Sequence, residues 1–140
     1  MIGIVISTFN KPVTKGLLDG CLKALTEKGI EKKEIQIYRV PGAFEIPALV
    51  NALAKKNNFN AIISLGCVIK GETDHYNFIC EAVSKGMMDV TIMNTIPILF
   101  GVLTCQNKEL ALSRSLDDQG NKGYEVGLAA VEQIKTFNSL

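Results

Sequence analysis

The chain has 140 residues and nearly balanced charge, with 15 Lys and Arg against 14 Asp and Glu, a formal net charge of +1. With 47% hydrophobic and 21% charged residues, it has the composition of one globular domain over residues 1–140 and lacks the basic excess of a nucleic-acid-binding protein. Its longest apolar runs are too short for a membrane span, and its opening residues lack the basic start of a signal peptide. We therefore expect a cytoplasmic protein that binds neither nucleic acid nor a membrane.

Segments with the apolar, β-branched character of strands alternate with helical patterns along the chain. The predicted strands are residues 2–7, 34–40, 61–69 and 95–104, and the predicted helices are residues 13–28, 46–56, about 74–89, 108–115 and a last one that ends near residue 137. Residues 61–69 are apolar almost without interruption, which is typical of a strand buried on both faces of a parallel sheet. Residues 34–40 alternate charged and apolar side chains, which predicts an edge strand.

This alternation predicts an α/β fold, a three-layer αβα sandwich around a four-stranded parallel sheet of flavodoxin-like outline. Right-handed crossovers should connect the strands. In the helix that begins near Asp74, we expect Phe78, Ala82 and Met88 to be among the buried residues.

The cysteines and the single histidine do not form a metal-binding pattern. Cys21, Cys67, Cys80 and Cys105 lie in apolar surroundings without a Cys-x-x-Cys pair, and His75 is the only histidine. We therefore expect free, buried thiols that act as small hydrophobes, and no metal site.

Residues 66–75 join the most apolar strand to a long helix at the carboxyl edge of the predicted sheet, where open α/β folds bind ligands. Thr73 or Asp74 can cap that helix, whose free N–H groups and positive dipole end favour an anion such as phosphate. His75 falls in the first turn, where the dipole favours the neutral imidazole that can accept and then donate a proton. By spacing alone, a structural role for a lone histidine is more frequent than a catalytic one.

Three more loops should reach the same edge of the sheet: residues 8–10, residues 42–45 and the end of the fourth strand near Phe100 or Leu103. Phe9 stands in a polar loop and could stack on a flat heterocycle, or it could be an ordinary residue at the edge of the core. Glu45 could accept hydrogen bonds from a polyol or an amine, or it could be only a charge near a helix N-terminus. Neither a Gly-x-Ser-x-Gly elbow nor a dinucleotide or P-loop glycine pattern occurs.

Five motifs, in order and spacing, make the chain resemble the lumazine synthase family from residue 1 to about residue 135. The motifs are Phe9-Asn10, Gly-Ala-Phe-Glu-Ile-Pro at 42–47, Gly-Cys-Val-Ile-Lys-Gly-Glu-Thr-Asp-His at 66–75, Phe-Gly-Val-Leu-Thr at 100–104 and Gly-Asn-Lys-Gly at 120–123. The resemblance implies a transferase that condenses 5-amino-6-(D-ribitylamino)uracil with 3,4-dihydroxy-2-butanone 4-phosphate. The product, 6,7-dimethyl-8-ribityllumazine, arises in the penultimate step of riboflavin biosynthesis. No cofactor and no metal take part.

The resemblance also implies a role for individual residues. His75 would move protons during the reaction. The pyrimidine and the ribityl chain would lie against Phe9, Asn10, Ala43, Phe44, Glu45, Cys67, Val68 and Ile69, and Phe100 would close the site from a neighbouring subunit. The phosphate would be bound by Glu72 through its backbone N–H, by Thr73, by Arg114 and by Lys122.

The chain departs from the family pattern at three places. Lys70 stands where arginine is common, and Leu116 stands where a glycine often follows the phosphate-binding arginine. The resemblance implies small-molecule substrates and a homo-oligomer, either a pentamer or a multiple of pentamers. The third departure lies before the first strand, where family members usually have an arm that adds a strand to the next subunit's sheet. Without this arm, we expect a weaker pentamer.

The residues leave three other functions open beside this one. An archaeal-type riboflavin synthase has similar loops but dismutates the lumazine product. A non-catalytic flavin- or nucleotide-binding module of flavodoxin type would use a phosphate cradle after the first strand, but residues 8–12 are poor in the Ser, Thr and Gly that form one. A purely structural shell protein would not need His75 and Arg114.

Overall fold

Four strands and five α-helices alternate in the structure, a computed structural model that describes residues 1–140. The elements are β1 (Ile2–Ser7), α1 (Lys11–Glu27), β2 (Ile35–Val40), α2 (Ile46–Ala54), β3 (Ala61–Ile69), α3 (His75–Met93), β4 (Ile98–Cys105), α4 (Lys108–Ser113) and α5 (Lys122–Asn138). Short 3₁₀ turns at Lys32–Glu34 and Ala43–Glu45 precede β2 and α2. Every predicted strand and helix is present, and the bounds of β1 and β3 agree with the prediction.

The four strands form one parallel sheet in the order β2-β1-β3-β4. This is the order of flavodoxin-like sheets, so the predicted fold class is confirmed. As predicted, β2 is an edge strand, and β4 forms the other edge. The strand order reverses between β1 and β3, and ligands of such folds bind where the carboxyl ends of these two strands diverge.

Two apolar clusters fill the space between the sheet and its helices. Ile4 and Ile6 of β1 face α1 and α5, whereas Val5 faces α2 and α3, because successive side chains of a strand point to opposite faces. Since both clusters pack on the same sheet, we infer that residues 1–140 form one domain. The packing of α1 on α5 is close enough that a Cβ at Gly123 would overlap the carbonyl oxygen of Leu17.

The expected buried face of α3 is wrong. Phe78 and Met88 are 69% and 60% exposed, and Ala82 is exposed as well. The residues of α3 that face the core are Val83, Met87 and Val90. This helix carries apolar side chains on opposite sides, so its periodicity does not select one face.

Several element ends also differ from the prediction. Helix α3 continues to Met93, and β4 begins at Ile98 because Pro97, which has no N–H, stays outside the strand. The carbonyl oxygen of Pro97 accepts a hydrogen bond from the N–H of Ile62 at 3.0 Å. No helix combines the length and the apolar character needed to cross a bilayer.

Candidate active site

A cleft of 530 Å³ lies where the carboxyl ends of β1 and β3 diverge. Most of the candidate site residues named from the sequence line this cleft. Those that line it are Phe9, Asn10, Ala43, Phe44, Glu45, Cys67, Val68, Ile69, Thr73 and His75. Two loops, after β1 and after β2, thus meet the end of β3 and the loop that follows it at the switch point of the sheet.

The loop between β1 and α1 holds Phe9 at the mouth of the cleft. Asn10 has a left-handed backbone with φ of 62°, and its Nδ2 donates a hydrogen bond of 3.1 Å to the carbonyl oxygen of Cys67. The N–H of Phe9 donates to the carbonyl oxygen of Pro41 at 3.1 Å. The backbone is therefore tied to two other segments, while the ring of Phe9 is 71% exposed.

The 3₁₀ turn Ala43–Glu45 forms the opposite wall of the cleft. Oε2 of Glu45 accepts a hydrogen bond of 3.0 Å from the N–H of Gly42, which closes the turn. Oε1 of Glu45 has no hydrogen-bond partner in the chain and can accept one from a ligand. Ala43 is buried, whereas the ring of Phe44 is exposed.

The end of β3 supplies the floor of the cleft. Cys67 is buried, and Val68 and Ile69 are half-buried. Burial, with a smaller contribution from the neighbouring Cys105, raises the pKa of the Cys67 thiol to about 12. A thiol with this pKa is neutral at physiological pH, so Cys67 can line the site but does not offer a thiolate nucleophile.

His75 begins α3 at the edge of the cleft. Its backbone N–H donates to Oγ1 of Thr73 at 3.3 Å. Thr73, one of the two predicted capping candidates, thus pairs one N–H of the first turn from the position before the N-cap residue Asp74. Asp74 makes no capping hydrogen bond through its side chain. The imidazole of His75 is exposed and forms no hydrogen bond within the chain, which leaves both ring nitrogens available to a ligand.

Glu72, Phe100, Arg114 and Lys122 do not line the cleft. Glu72 is exposed in the loop before α3. Of the two residues expected near the carboxyl end of the fourth strand, Phe100 is the third residue of β4 and lies towards its amino end, so this placement is wrong. Leu103, the other one, lies opposite Cys67 near the carboxyl end, as expected. The strand runs on to Cys105, because residues 101–105 continue the apolar pattern.

Arg114 and Lys122 form a cluster with Glu125, which the sequence analysis missed. Nη2 of Arg114 lies 3.2 Å from one carboxylate oxygen of Glu125, and Nζ of Lys122 lies 2.9 Å from the other. The hydrogen bond from Lys122 and the nearby guanidinium of Arg114 lower the pKa of Glu125 below its usual range. The spacing of Lys122 and Glu125 in the first turn of α5 was the available signal, since residues three apart on a helix are neighbours.

Tyr76 and Ile79 were also missed, although both line the cleft beside His75. Burial beside Cys80 raises the pKa of the Tyr76 hydroxyl. Tyr76 and Ile79 are three residues apart and lie on one side of α3, and Ile79 is four residues after His75, which is the signal that could have found them. No group of three or more His, Cys, Asp or Glu side chains is placed so that it could hold a metal ion.

The chain is similar to known proteins along nearly its whole length. The model of the 6,7-dimethyl-8-ribityllumazine synthase family matches residues 1–138. The chain belongs to this family. It is 46% identical over 139 residues to the lumazine synthase of Coxiella burnetii (strain CbuG_Q212), a match that covers 99% of this chain and 92% of that protein. It is 43% identical over 133 residues to the enzyme of Pediococcus pentosaceus, which covers 95% and 85% of the two chains.

The predicted lumazine synthase, a transferase of riboflavin biosynthesis, is therefore confirmed. Neither an archaeal-type riboflavin synthase nor a flavin-binding module finds support among these relatives. A solved archaeal flavodoxin is similar with a TM-score of 0.44 and 9% identity, over 96% of this chain and 99% of that one.

Proposed function

We propose that this lumazine synthase performs its condensation in the cleft between β1 and β3. The substrates are 5-amino-6-(D-ribitylamino)uracil and 3,4-dihydroxy-2-butanone 4-phosphate, and the reaction releases phosphate and water with 6,7-dimethyl-8-ribityllumazine. The observation that carries the proposal is the meeting of an exposed aromatic ring, Phe9, and an unpaired imidazole, His75, in one cleft of 530 Å³. This volume suits a substrate of this size, because small-molecule sites enclose roughly 300 to 1,000 Å³.

The pyrimidine and the ribityl chain bind along Phe9, the turn Ala43–Glu45 and the end of β3. The exposed ring of Phe9 offers its face for stacking on the flat pyrimidine. Oε1 of Glu45, which has no partner in the chain, accepts a hydrogen bond from a hydroxyl or amine of this substrate. Val68 and Ile69 supply apolar contact from the floor.

His75 transfers protons between the reacting groups. The amine must lose a proton as the imine forms, phosphate must leave, and the ring must close, and each step moves a proton near neutral pH. Both nitrogens of His75 are unpaired in the chain, so one imidazole can accept a proton in one step and donate it in another. Holding both substrates in register supplies much of the remaining acceleration.

The phosphate of the second substrate binds at the start of α3. The backbone N–H groups of Glu72 and Thr73 have no partner in the chain and lie at the positive end of the helix dipole. A phosphate dianion also needs counter-charge, and the only cations that the resemblance assigns to it are Arg114 and Lys122. Both lie outside this chain's own cleft.

We therefore propose that a neighbouring copy of the chain completes each site with its Phe100, Arg114 and Lys122. Such a contact joins two different surfaces, and contacts of this kind close into rings when the rotation allows. A pentamer, or a multiple of pentamers, is the proposed assembly. The exposed apolar side chains of α3, among them Phe78, Met88, Ile92 and Met93, support a subunit interface. A cytoplasmic location stays a prediction.

Replacing Arg114 tests the phosphate assignment. Arg114→Ala should raise the KM for the butanone phosphate about tenfold or more and weaken the binding of inorganic phosphate, because charge-assisted hydrogen bonds are lost. Arg114→Lys should recover only part, since lysine lacks the planar fork. The control is Lys135→Ala, which removes an exposed cation that pairs only with Glu132. Calorimetry with phosphate, beside sedimentation of each variant, is the measurement; an intact Arg114→Ala assembly that binds phosphate like the wild type would refute the assignment.

A further inference from the structure

The carboxylate of Glu125 contacts two cations at once. Its Oε2 accepts from Nη2 of Arg114 at 3.2 Å and its Oε1 accepts from Nζ of Lys122 at 2.9 Å. Arg114 caps the end of α4, and Lys122 is the first residue of α5. One side chain therefore links the functional groups of two helices, whereas an ordinary surface ion pair has a single partner on each side.

The backbone beneath this cluster is fixed independently of Glu125. The N–H of Lys122 donates to the carbonyl oxygen of Arg114 at 2.8 Å. Asn121, which is 2% exposed, donates from Nδ2 to the carbonyl oxygens of Gly16 and Leu116 and accepts from the N–H of Tyr124. Loss of the Glu125 carboxylate should therefore leave this junction folded and release only the two long cationic side chains.

Both cations keep donors for a ligand while they contact Glu125. A guanidinium has five N–H donors and an ammonium has three. Glu125 uses one donor of each. Its negative charge also offsets the repulsion between the two cations Arg114 and Lys122. Without this charge, the repulsion would drive these partly exposed side chains apart.

We propose that Glu125 is a positioning residue that holds Arg114 and Lys122 together as one phosphate-binding unit. This proposal rests on the proposed function of those two residues. Glu125 acts through them and does not touch the phosphate, which its carboxylate would repel. The alternative is that the carboxylate of Glu125 occupies the place of the phosphate and must be displaced by it. Loss of the carboxylate would then strengthen phosphate binding instead of weakening it.

Substitution of Glu125 by glutamine distinguishes the positioning role from occupation of the phosphate site by the carboxylate. Glu125→Gln keeps the size of the side chain and one acceptor but loses the charge, and Glu125→Asp keeps the charge but is too short to reach both partners. The control is Glu132→Gln on the same helix, whose carboxylate pairs only with Lys135. The measurements are kcat and both KM values, the affinity for inorganic phosphate by calorimetry, and sedimentation to verify the assembly.

We expect Glu125→Gln to raise the KM for the butanone phosphate and the Kd of phosphate about tenfold, because displaced groups lose effective concentration. Glu125→Asp should recover part of this loss, and the KM for the pyrimidine should stay at the wild-type value in both. Tighter or unchanged phosphate binding in a folded Glu125→Gln assembly would overturn the proposal.

A double mutant distinguishes this failure from a failure of the proposed function. If Glu125 acts through Arg114, Glu125→Gln should weaken phosphate binding less in an Arg114→Ala background than in the wild type. Wild-type binding in Glu125→Gln with a loss in Arg114→Ala overturns the positioning role alone. Wild-type binding in both variants overturns the phosphate assignment of Arg114 as well.

Discussion

The side-chain amide of Asn10 donates a hydrogen bond of 3.1 Å to the carbonyl oxygen of Cys67, which ties the loop after β1 to the end of β3 across the switch point of the sheet. Asn10 does this from a left-handed backbone, a conformation that asparagine adopts more readily than most residues. The family resemblance implies that Asn10 binds the substrate, and Asn10 lines the cleft beside Phe9. Its Nδ2 has a partner within the chain, so Asn10 also fixes the loop that carries the exposed ring of Phe9.

Two substitutions of Asn10 test this link. Asn10→Gly permits the left-handed backbone but removes the hydrogen bond, and Asn10→Asp places a carboxylate against the carbonyl oxygen of Cys67. Both should raise the KM for the pyrimidine, Asn10→Asp more strongly, with a loss of stability on the order of 1 kcal/mol for the missing bond. The control is Asn57→Gly at the other left-handed asparagine, outside the cleft. Steady-state kinetics would contradict the role if Asn10→Gly matched this control.

Phe9→Ala should weaken the binding of the pyrimidine by roughly 1 to 3 kcal/mol and leave the affinity for the butanone phosphate near the wild-type value, because only the flat substrate loses a stacking partner. Phe137→Ala, a half-exposed phenylalanine near the end of α5, is the control. Equilibrium binding of each substrate is the measurement. Equal losses for both substrates would argue against stacking.

His75→Ala should slow turnover by roughly ten- to a thousandfold, since general acid–base help is worth about 10² to 10⁴ and the positioning of the substrates survives its loss. The imidazole forms no hydrogen bond in the chain and is exposed, so thermal unfolding should change little. Turnover under saturating substrates, beside a melting curve, tests both parts. Wild-type turnover in His75→Ala would exclude the proton-transfer role.

The raised pKa of Cys67 predicts that its thiol reacts slowly with alkylating reagents in the folded protein. Since the folded pKa of about 12 exceeds the usual thiol pKa of 9.0, this thiol contributes stability that is complete below the unfolded pKa and is lost as the pH rises through the folded pKa. Near pH 9, iodoacetamide should therefore modify Cys67 much faster in urea than in the native chain, because the thiolate is the reactive form. Peptide mass spectrometry measures both rates. Equal rates in the two states would contradict the burial of this thiol at the floor of the cleft.

Local pattern was sufficient for the sheet and for most of the cleft. The nearly continuous, β-branched apolar run of β3 favours a strand covered on both faces, and the loops that follow parallel strands meet at one edge. This is why His75, Phe9 and Glu45 were found together. Family resemblance then supplied roles that spacing alone left open.

What the sequence did not predict depends on contacts between distant or ambiguous elements. Apolar residues on two sides of α3 left its buried face undetermined, and Phe78 was placed in the core wrongly. The partner of the Asn10 amide is 57 residues away. Glu125 is found only when α4 and α5 are seen together, because its contact with Arg114 spans two helices.

The most direct test of the account mixes two defective chains. In the proposed shared site, His75→Ala removes the proton-transfer group of the cleft and Arg114→Ala removes the cation that a neighbouring copy brings to it. At butanone phosphate concentrations well below the KM, each homogeneous assembly should be about tenfold or more slower than the wild type. In assemblies formed from equal amounts of both by unfolding and refolding together, about one quarter of the sites should combine an intact cleft with an intact neighbour. We expect lumazine formation in the mixed assemblies to rise to about that fraction of the wild-type rate. A mixed assembly, verified by sedimentation, that is no more active than the mean of its two parents would contradict a site shared between subunits.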